Sequence, residues 1–152
     1  MSEEGEGRIE AIWLKRARGG PMDPVDRAEL VADQGIVGNA NQGGWRQVTV
    51  ISSEAWAAAE EDLGSRVDPS ARRANVLVTG IDLEETRDRV LRLGGCRVQV
   101  RGETRPCHQM DEACDGLRQA LDPNWRGGAF GVVLDDGEVA VGDAVTWIDA
   151  ET

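Results

Sequence analysis

Short stretches of alternating apolar and polar residues, separated by glycine-rich breaks, most constrain how this chain can fold. The run Cys96 to Arg101 alternates strictly, and Gln47 to Ile51 is compact and β-branched. There are 19 glycines among 152 residues. Alternation with a period of two is typical of strands, and glycine suits tight β corners. The pattern predicts a mainly β protein with short helices (α+β), whose antiparallel sheet forms a closed or partly closed barrel.

Two segments have helical features instead. Ser52 or Ser53 is a candidate N-cap for an Ala- and Glu-rich stretch that Gly64 ends. The segment Asp111 to Leu121 places its apolar residues near one helical face, before the stop at Asp122-Pro123. The sequence therefore predicts two short helices among seven or eight strands.

Several other boundaries follow from turn residues. Gly19-Gly20-Pro21 and Asp23-Pro24 are expected to break the chain after a first strand over Arg8 to Leu14. The stretch Glu84 to Leu93 is compatible with a helix or a strand. Three β-rich segments near the C-terminus are expected to form an antiparallel meander: Ala129 to Leu134, Glu138 to Val141 and Ala144 to Ile148.

Length and charge restrict the organisation and the partners. A chain of 152 residues forms one domain, which we expect over residues 8–149, with Met1 to Gly7 as a disordered acidic tail. Seventeen Lys and Arg against 28 Asp and Glu give a net charge of −11, which repels a phosphate backbone. No apolar run approaches the roughly 20 residues of a membrane span. We expect a cytoplasmic protein without nucleic-acid or membrane partners.

Cys107 is the strongest candidate for chemistry among three cysteines expected to be free thiols. It follows a strand and precedes a helix, between Arg105 and His108. A helix N-terminus and nearby cations favour the thiolate, which is the nucleophilic and metal-binding form. The alternative is a small buried hydrophobe, which is the role we predict for Cys96 and Cys114. His108, the one histidine, is a candidate acid–base group.

Two polar clusters are candidates for ligand binding. Arg72 and Arg73, with Asn75, precede a strand and suit an anionic or heterocyclic ligand at a barrel mouth. The run Trp125 to Gly128 combines an aromatic ring, a cation and two glycines whose backbone can approach a ligand. Exposed arginines and an ordinary turn are the alternatives. A structural zinc site is not expected, because no C-x-x-C is present.

These residues together resemble the MOSC domain, named for the C-terminal domain of molybdenum cofactor sulfurases. The likeness rests on Arg73-Ala74-Asn75 before a strand, on Arg105-Pro106-Cys107 after one, and on Gly131 to Val145 with its Gly-Asp turn. It spans roughly Arg8 to Ile148 and implies a stand-alone member with a barrel like that of pyruvate kinase. The resemblance also implies a family that is associated with pyridoxal phosphate enzymes.

The resemblance implies that Cys107 matches the family's cysteine and carries sulfur as a persulfide, with Arg105, His108 and Arg73 forming a basic wall. The donor would be a cysteine desulfurase or another sulfur source. The acceptor would be the molybdenum cofactor or a metal–sulfur centre.

Two alternatives remain open. In a molybdenum-pterin oxidoreductase that reduces N-hydroxylated compounds, Cys107 would ligate molybdenum. The residues that would hold the pterin are Arg73, Asn75, Arg126, Gly127 and Gly128. In a cofactor-free carbon–sulfur enzyme, Cys107 would be the nucleophile and His108 the acid–base group. Many relatives carry a histidine where this chain has Asn41-Gln42-Gly43-Gly44.

Overall fold

The computed structural model describes residues 7–17, 20–40, 42–105, 110–111 and 114–148. Within these ranges lie eleven strands, two α-helices and two 3-10 turns. The strands are β1 (Gly7–Lys15), β2 (Met22–Val25), β3 (Arg27–Val31), β4 (Gly35–Ile36), β5 (Val48–Ser52), β6 (Val76–Thr79), β7 (Val90–Leu93), β8 (Cys96–Glu103), β9 (Ala129–Val133), β10 (Gly137–Ala140) and β11 (Ala144–Ile148). The helices are α1 (Ser53–Leu63) and α2 (Leu117–Leu121), and the 3-10 turns are Pro69–Arg72 and Pro123–Trp125.

Seven strands close into a barrel, as the glycine and alternation pattern predicts. Their order is β1, β6, β5, β9, β8, β7 and β11, and β11 pairs with β1 to close the circle. The closing register places Gly7 opposite Val145. β1 thus begins at Gly7, one residue before the expected start of the domain.

One strand pair departs from the expected antiparallel arrangement. β5 and β6 are parallel, with Val50 opposite Val76. Parallel neighbours need a crossover, and α1 is part of it. The helix has the predicted ends: Ser52 Oγ accepts a hydrogen bond from the Ala55 amide at 3.2 Å, and Gly64 is left-handed at φ 80°.

The predicted C-terminal meander is wrong, although its three strands exist. β9 pairs with β5 and β8, β11 pairs with β7 and β1, and β10 joins β3 and β4 in a separate three-stranded sheet. Carboxylates of the connecting segment explain the divergence. Asp135 accepts hydrogen bonds from Arg97, and Asp136 accepts one from the Ala32 amide at 2.8 Å. These bonds direct the chain away from a β9–β10 hairpin and towards β3.

Two local predictions are also corrected, and one open alternative is resolved. Asp23-Pro24 lies inside β2, which tolerates proline because it is an edge strand paired with β1 alone. Of the ambiguous stretch, only Val90–Leu93 is a strand. The predicted second helix is interrupted: Met110 and Asp111 are helical, but Gly116 is left-handed at φ 90°, and the helix α2 begins only after it, at Leu117.

Two large apolar clusters lie on the two sides of the barrel wall, beside a small third one around Trp125. The larger one fills the barrel with residues such as Ile9, Leu30 and Leu93, each at most 1% exposed. The second one packs α1 and α2 on the outside, through Trp56, Leu117 and neighbouring residues. Both faces of β5 and of the last part of β1, from Ile12 to Leu14, are therefore buried, which fixes the strand ends that carry the site. Among the described residues, no helix is long and apolar enough to cross a bilayer.

Candidate functional site

A cavity of about 260 Å³ at the ends of β1 and β8 gathers positive charge. We call it the basic pocket. Its described lining includes Lys15, Arg46, Arg72, Arg73 and Arg105 but no Asp or Glu. This contrasts with a chain in which 28 acidic residues outnumber 17 Lys and Arg. Planar guanidinium groups bind oxyanions through paired N–H donors, so the cavity is suited to an anionic ligand.

Arg72 joins three segments of the pocket wall. It closes the 3-10 turn Pro69–Arg72 and is 9% exposed. Its Nε donates to the Gly127 carbonyl at 2.9 Å, and its Nη2 donates to the carbonyls of Thr104 at 2.9 Å and Arg105 at 3.3 Å. Buried carbonyls need such partners. Arg72 is therefore a structural clamp on the wall as well as a source of charge.

Arg73 has a strained backbone at the same turn. It is left-handed at φ 64°, a conformation that disfavours residues with a Cβ. Its Nη2 donates to the Gly20 carbonyl, in the connection between β1 and β2. Arg73 lines the pocket, and its guanidinium also positions a neighbouring loop.

Asn75 lines the pocket but already uses its side chain. Its Oδ1 accepts from the amide and hydroxyl of Thr49 at 3.1 and 3.2 Å. Its Nδ2 donates to the Trp13 carbonyl at 3.2 Å and to Asn39 Oδ1 at 3.1 Å. These bonds tie β1, β5 and the segment after β4 together. The contacts of Asn75 make it a positioning residue for the wall.

Thr104 contributes a buried hydroxyl to the pocket. The residue is 7% exposed, its amide donates to the Gly128 carbonyl at 2.8 Å, and its carbonyl accepts from Arg72. Among the described residues, Thr104 Oγ1 is the one buried side-chain oxygen or nitrogen that has no hydrogen-bond partner. The sequence analysis missed this residue, since a threonine at a strand end has no distinguishing pattern.

Lys15 and Arg46 were also missed. Lys15, the only lysine of the chain, ends β1, and its amide donates to Asn39 Oδ1 at 2.8 Å. Arg46 lies in the glycine-rich loop before β5, with its guanidinium 4.8 Å from the centre of the Phe130 ring. A lone lysine at a strand end was the available signal. Its proximity to Arg73 depends on the barrel.

The predicted reactive residues Cys107 and His108 lie outside the described residues. Arg105 precedes Cys107 by two positions in the sequence, and Met110 follows it by three. Arg105 is exposed, Met110 is 2% exposed, and both line the basic pocket. The chain thus reaches the pocket on either side of the segment that contains Cys107.

The three residues Arg126 to Gly128 have different surroundings in the structure. Gly127 lines the pocket and holds Arg72 through its carbonyl. Gly128 is at φ 102°, and a Cβ there would collide with the Val50 carbonyl, so its lack of a side chain allows β9 to approach β5. Arg126 is not part of the described pocket lining: its Nη1 contacts Asp62 Oδ2 at 2.6 Å. Cofactor binding by Arg126 stays a prediction.

A second cavity of about 420 Å³ lies beside α1 and carries acidic side chains. We call it the acidic groove, lined by Glu54, Asp82 and Glu84 together with Arg126. Partial desolvation opposes ionisation of Glu54. Hydrogen bonds from the Thr79 hydroxyl and the Gly80 amide outweigh it and lower the pKa of the Glu54 carboxyl. The Glu54 carboxylate thus has its hydrogen-bond donors within the protein.

The other two cysteines have surroundings unlike those expected of a reactive thiol. Cys96 is fully buried at the start of β8, as predicted, and burial together with Asp135 and Asp136 raises the pKa of its thiol. Cys114 is half-buried against the helix cluster. Among the described residues, no group of three or more His, Cys, Asp or Glu side chains could hold a metal ion.

Comparisons with known structures place this barrel among solved ones. The YuaD protein of Bacillus subtilis matches with a TM-score of 0.79 and 20% identity, over 92% of this chain and 94% of that one. YiiM of Geobacillus stearothermophilus matches at 0.74 and 18%, over 94% and 75%. YiiM of Escherichia coli matches at 0.69 and 17%, over 93% and 70%. At these identities the likeness establishes the fold.

The family is established by a match between this sequence and the model of a protein family. The search among curated proteins found no match. The model of the MOSC domain matches residues 37–146, which include the basic pocket residues from Asn39 to Met110 and all of β5 to β10. The expected family and its barrel are thereby confirmed. The chain belongs to the MOSC domain family, which is linked to molybdenum cofactor binding or sulfur transfer.

Proposed function

We propose that this protein is a sulfur carrier in which Cys107 takes up sulfur as a persulfide and the basic pocket holds the anionic acceptor. The observation that supports the proposal is the pocket itself, with five cations and no carboxylate in its described lining. Cys107 lies between two pocket residues in the chain, Arg105 and Met110. A thiol and an anion site are what sulfur transfer to a charged acceptor requires.

The loading step needs a thiolate and a donor persulfide. The Cys107 sulfur attacks the outer sulfur of the donor, the donor's S–S bond breaks, and the donor leaves as a thiolate. A new S–S bond remains on Cys107. Neighbouring cations stabilise the attacking thiolate, and Arg105, two residues away in the chain, is the nearest in sequence. A cysteine desulfurase is the class of enzyme that supplies such a persulfide.

A molybdenum–pterin group suits the pocket as the sulfur acceptor. Its phosphate requires several N–H donors from different directions, and the guanidinium groups of Arg73 and Arg105 belong to separate segments of the wall. Bound there, the group would supply the metal that receives sulfur. The protein's own part is to bind the phosphate, through these arginines and Lys15, and to present Cys107.

A second function uses the same pocket. Five lining cations exceed what one persulfide anion needs, which favours a phosphate-bearing cofactor that stays bound. In that case the protein is a molybdenum-pterin oxidoreductase, with Cys107 as a metal ligand. The two functions differ in what the purified protein contains: transferable sulfur in the first, stoichiometric molybdenum in the second.

The test is mass spectrometry of the whole protein, native and denatured, before and after incubation with cysteine and a cysteine desulfurase. We expect a gain of one sulfur atom that reductant removes, lost in Cys107→Ser and kept in the matched variant Cys114→Ser. A gain that persists in Cys107→Ser contradicts the carrier proposal. Tightly bound molybdenum with no sulfur gain supports the oxidoreductase instead.

A further inference from the structure

Arginine and aromatic side chains contact one another on the solvent-facing side of β8 and β9 and in the neighbouring loops. We propose that this surface binds an acidic segment of a protein partner. We call it the arginine–aromatic surface, formed by Trp45, Arg46, Arg87, Arg101 and Phe130. The proposal goes beyond the proposed function, because binding here requires neither Cys107 nor a cofactor.

Trp45 is the most exposed large apolar side chain among the described residues, at 64%. It lies in the glycine-rich loop before β5, and the Arg101 guanidinium is 4.4 Å from the centre of its ring. A single exposed apolar side chain is common on protein surfaces. Tryptophan next to arginine is less ordinary, because these two residue types dominate the binding energy of protein interfaces. The pair therefore indicates a contact surface.

The arginine side chains of this surface are held in place by its other residues. The Arg46 guanidinium lies 4.8 Å from the centre of the Phe130 ring, and Arg87 Nη1 donates to the Arg101 carbonyl at 2.9 Å. Gly102 provides the room, since a Cβ there would lie 3.0 Å from Arg87 Nη1 and from two carbons of the Phe130 ring. Because these contacts exist before a partner arrives, binding orders fewer side chains.

Two of the three guanidinium groups on this surface are available to a carboxylate from outside. Among the described residues, no carboxylate lies within 4.0 Å of the Arg46 or Arg87 guanidinium. Arg101 has a single contact, with Asp88 Oδ1 at 3.5 Å. By contrast, Arg97 on the same strand forms two hydrogen bonds with one carboxylate. In a chain with 28 acidic residues, the surface thus keeps a local surplus of positive charge.

A protein segment fits this surface better than a nucleic acid. Arginine clusters recognise acidic peptide motifs through charge-assisted hydrogen bonds. Single-stranded nucleic acids also bind arginine and aromatic side chains, but a net charge of −11 repels a phosphate backbone. Asp88 contacts Arg101, and Glu103 follows on the same strand. A peptide can place its carboxylates away from these two, whereas a regular row of phosphates cannot.

The position of the surface suits a partner that acts at the basic pocket. Arg46 belongs to both, since it lines the pocket and contacts Phe130. A segment bound across Trp45 and Arg87 would therefore hold its protein next to that cavity.

The experiment selects peptides from a random library displayed on phage, with the whole wild-type protein immobilised. We expect the recovered sequences to be enriched in aspartate and glutamate. The most enriched peptide is then synthesised and titrated against the protein by calorimetry at low and high salt, and its affinity should fall as salt screens the exposed charges. A selection that recovers no acidic sequences overturns the proposal.

Two variants locate the bound peptide. Trp45→Ala removes the ring and Arg87→Gln removes one guanidinium, and neither residue is in the described lining of the basic pocket. We expect each to weaken peptide binding about tenfold or more, as loss of a tryptophan or arginine at the centre of an interface does. Because both side chains are exposed, the melting temperature should stay near that of the wild type. Wild-type affinity in both variants overturns the proposal.

The matched controls are Val37→Ala and Arg27→Gln. Val37 is another exposed apolar side chain, at 49%, and Arg27 is an exposed arginine on the three-stranded sheet. Both variants should bind the peptide as the wild type does. Losses equal to those of Trp45→Ala and Arg87→Gln would show attraction to any surface of the protein and overturn the proposal.

Arg73→Gln separates this surface from the basic pocket, since Arg73 lines the pocket and donates to the Gly20 carbonyl. Peptide binding that is lost in Arg73→Gln and kept in Trp45→Ala places the peptide in the pocket and overturns the proposal. An oligothymidylate that displaces the peptide and depends on Trp45 assigns the surface to nucleic acid instead, with the same consequence. Sulfur loading of Cys107 enters none of these measurements, so the carrier proposal stands or fails separately.

Discussion

The basic pocket and the acidic groove are two cavities of one small barrel. They differ in the sign of their charge and in whether a key polar side chain is hydrogen-bonded within the protein. The pocket collects five cations, whereas the groove carries three carboxylates and Arg126. Glu54 in the groove accepts hydrogen bonds from Thr79 and Gly80, but Thr104 in the pocket has an unpaired hydroxyl. A net charge of −11 describes neither cavity. The comparison teaches that the net charge of a chain predicts neither the charge of a cavity nor whether the polar groups of that cavity are hydrogen-bonded.

The largest expected effect is a loss of stability when Arg72, which joins three segments of the wall of the basic pocket, is replaced. Arg72→Ala leaves the carbonyls of Gly127, Thr104 and Arg105 without their donor. We expect it to lower the free energy of unfolding by about 4 kcal/mol, since the two buried bonds, to Gly127 and Thr104, leave carbonyls that each cost about 1–3 kcal/mol when unpaired. Denaturant unfolding measures this. The control Arg8→Ala, on an exposed side chain of β1, should change it by less than about 0.5 kcal/mol. Equal losses would contradict the clamp.

The next effect tests whether Gly128 serves packing. Gly128→Ala places a Cβ against the Val50 carbonyl and Ile51, and overpacking of this kind costs about 1–3 kcal/mol. Gly142 is the matched control, because it has a similar φ of 96° with nothing within 4 Å of an added Cβ. Gly142→Ala should show the smaller loss, due to the left-handed backbone alone. Denaturant midpoints of the two variants, with equal slopes, make the comparison; similar losses would remove the packing role.

The smallest effect concerns the acidic groove. The pKa of the Glu54 carboxyl lies below its ordinary value of 4.5 in the folded protein, so ionised Glu54 stabilises the fold above that pH. This contribution is lost as the pH falls below 4.5 and through the folded pKa. The difference in unfolding free energy between wild type and Glu54→Gln should therefore shrink from pH 7 to pH 3. Because Glu54 is exposed, it stays below about 1 kcal/mol throughout.

Glu61→Gln is the control for this pH dependence, since Glu61 is an exposed residue of the same helix. A difference between wild type and Glu54→Gln that grows as the pH falls would reverse the sign and contradict the account of the groove.

Much of the fold could be predicted from the sequence, because local patterns report local structure. Ser52 and Gly64 bound α1 as expected, and the strict alternation near Cys96 forms β8. The predicted meander was wrong because strand pairing depends on contacts between distant parts of the chain, which local patterns do not report. Which strand pairs with which depends on contacts such as Asp136 with the Ala32 amide, and these join residues about a hundred positions apart in the chain.

The structure brings some of the candidate site residues together. Arg73, Asn75, Arg105 and Gly127 line one pocket, and their part in binding or catalysis stays a prediction. Lys15, Arg46 and Thr104 were missed, because none belongs to a motif and each reaches the pocket from a different strand or loop. Gly128 and Arg126 have contacts that packing and an ion pair explain.

The sequence by itself determined the family and the barrel class, since both depend on residue type and spacing along the chain. Only the tertiary structure decided where the charge accumulates and which polar groups remain unpaired. Barrel closure brings the ends of β1 and β8 together with the turn before β6, and hydrogen-bond partners exist only once distant segments meet. The side chains of Asn75 and Thr104 therefore differ in hydrogen bonding although both are polar residues beside a strand.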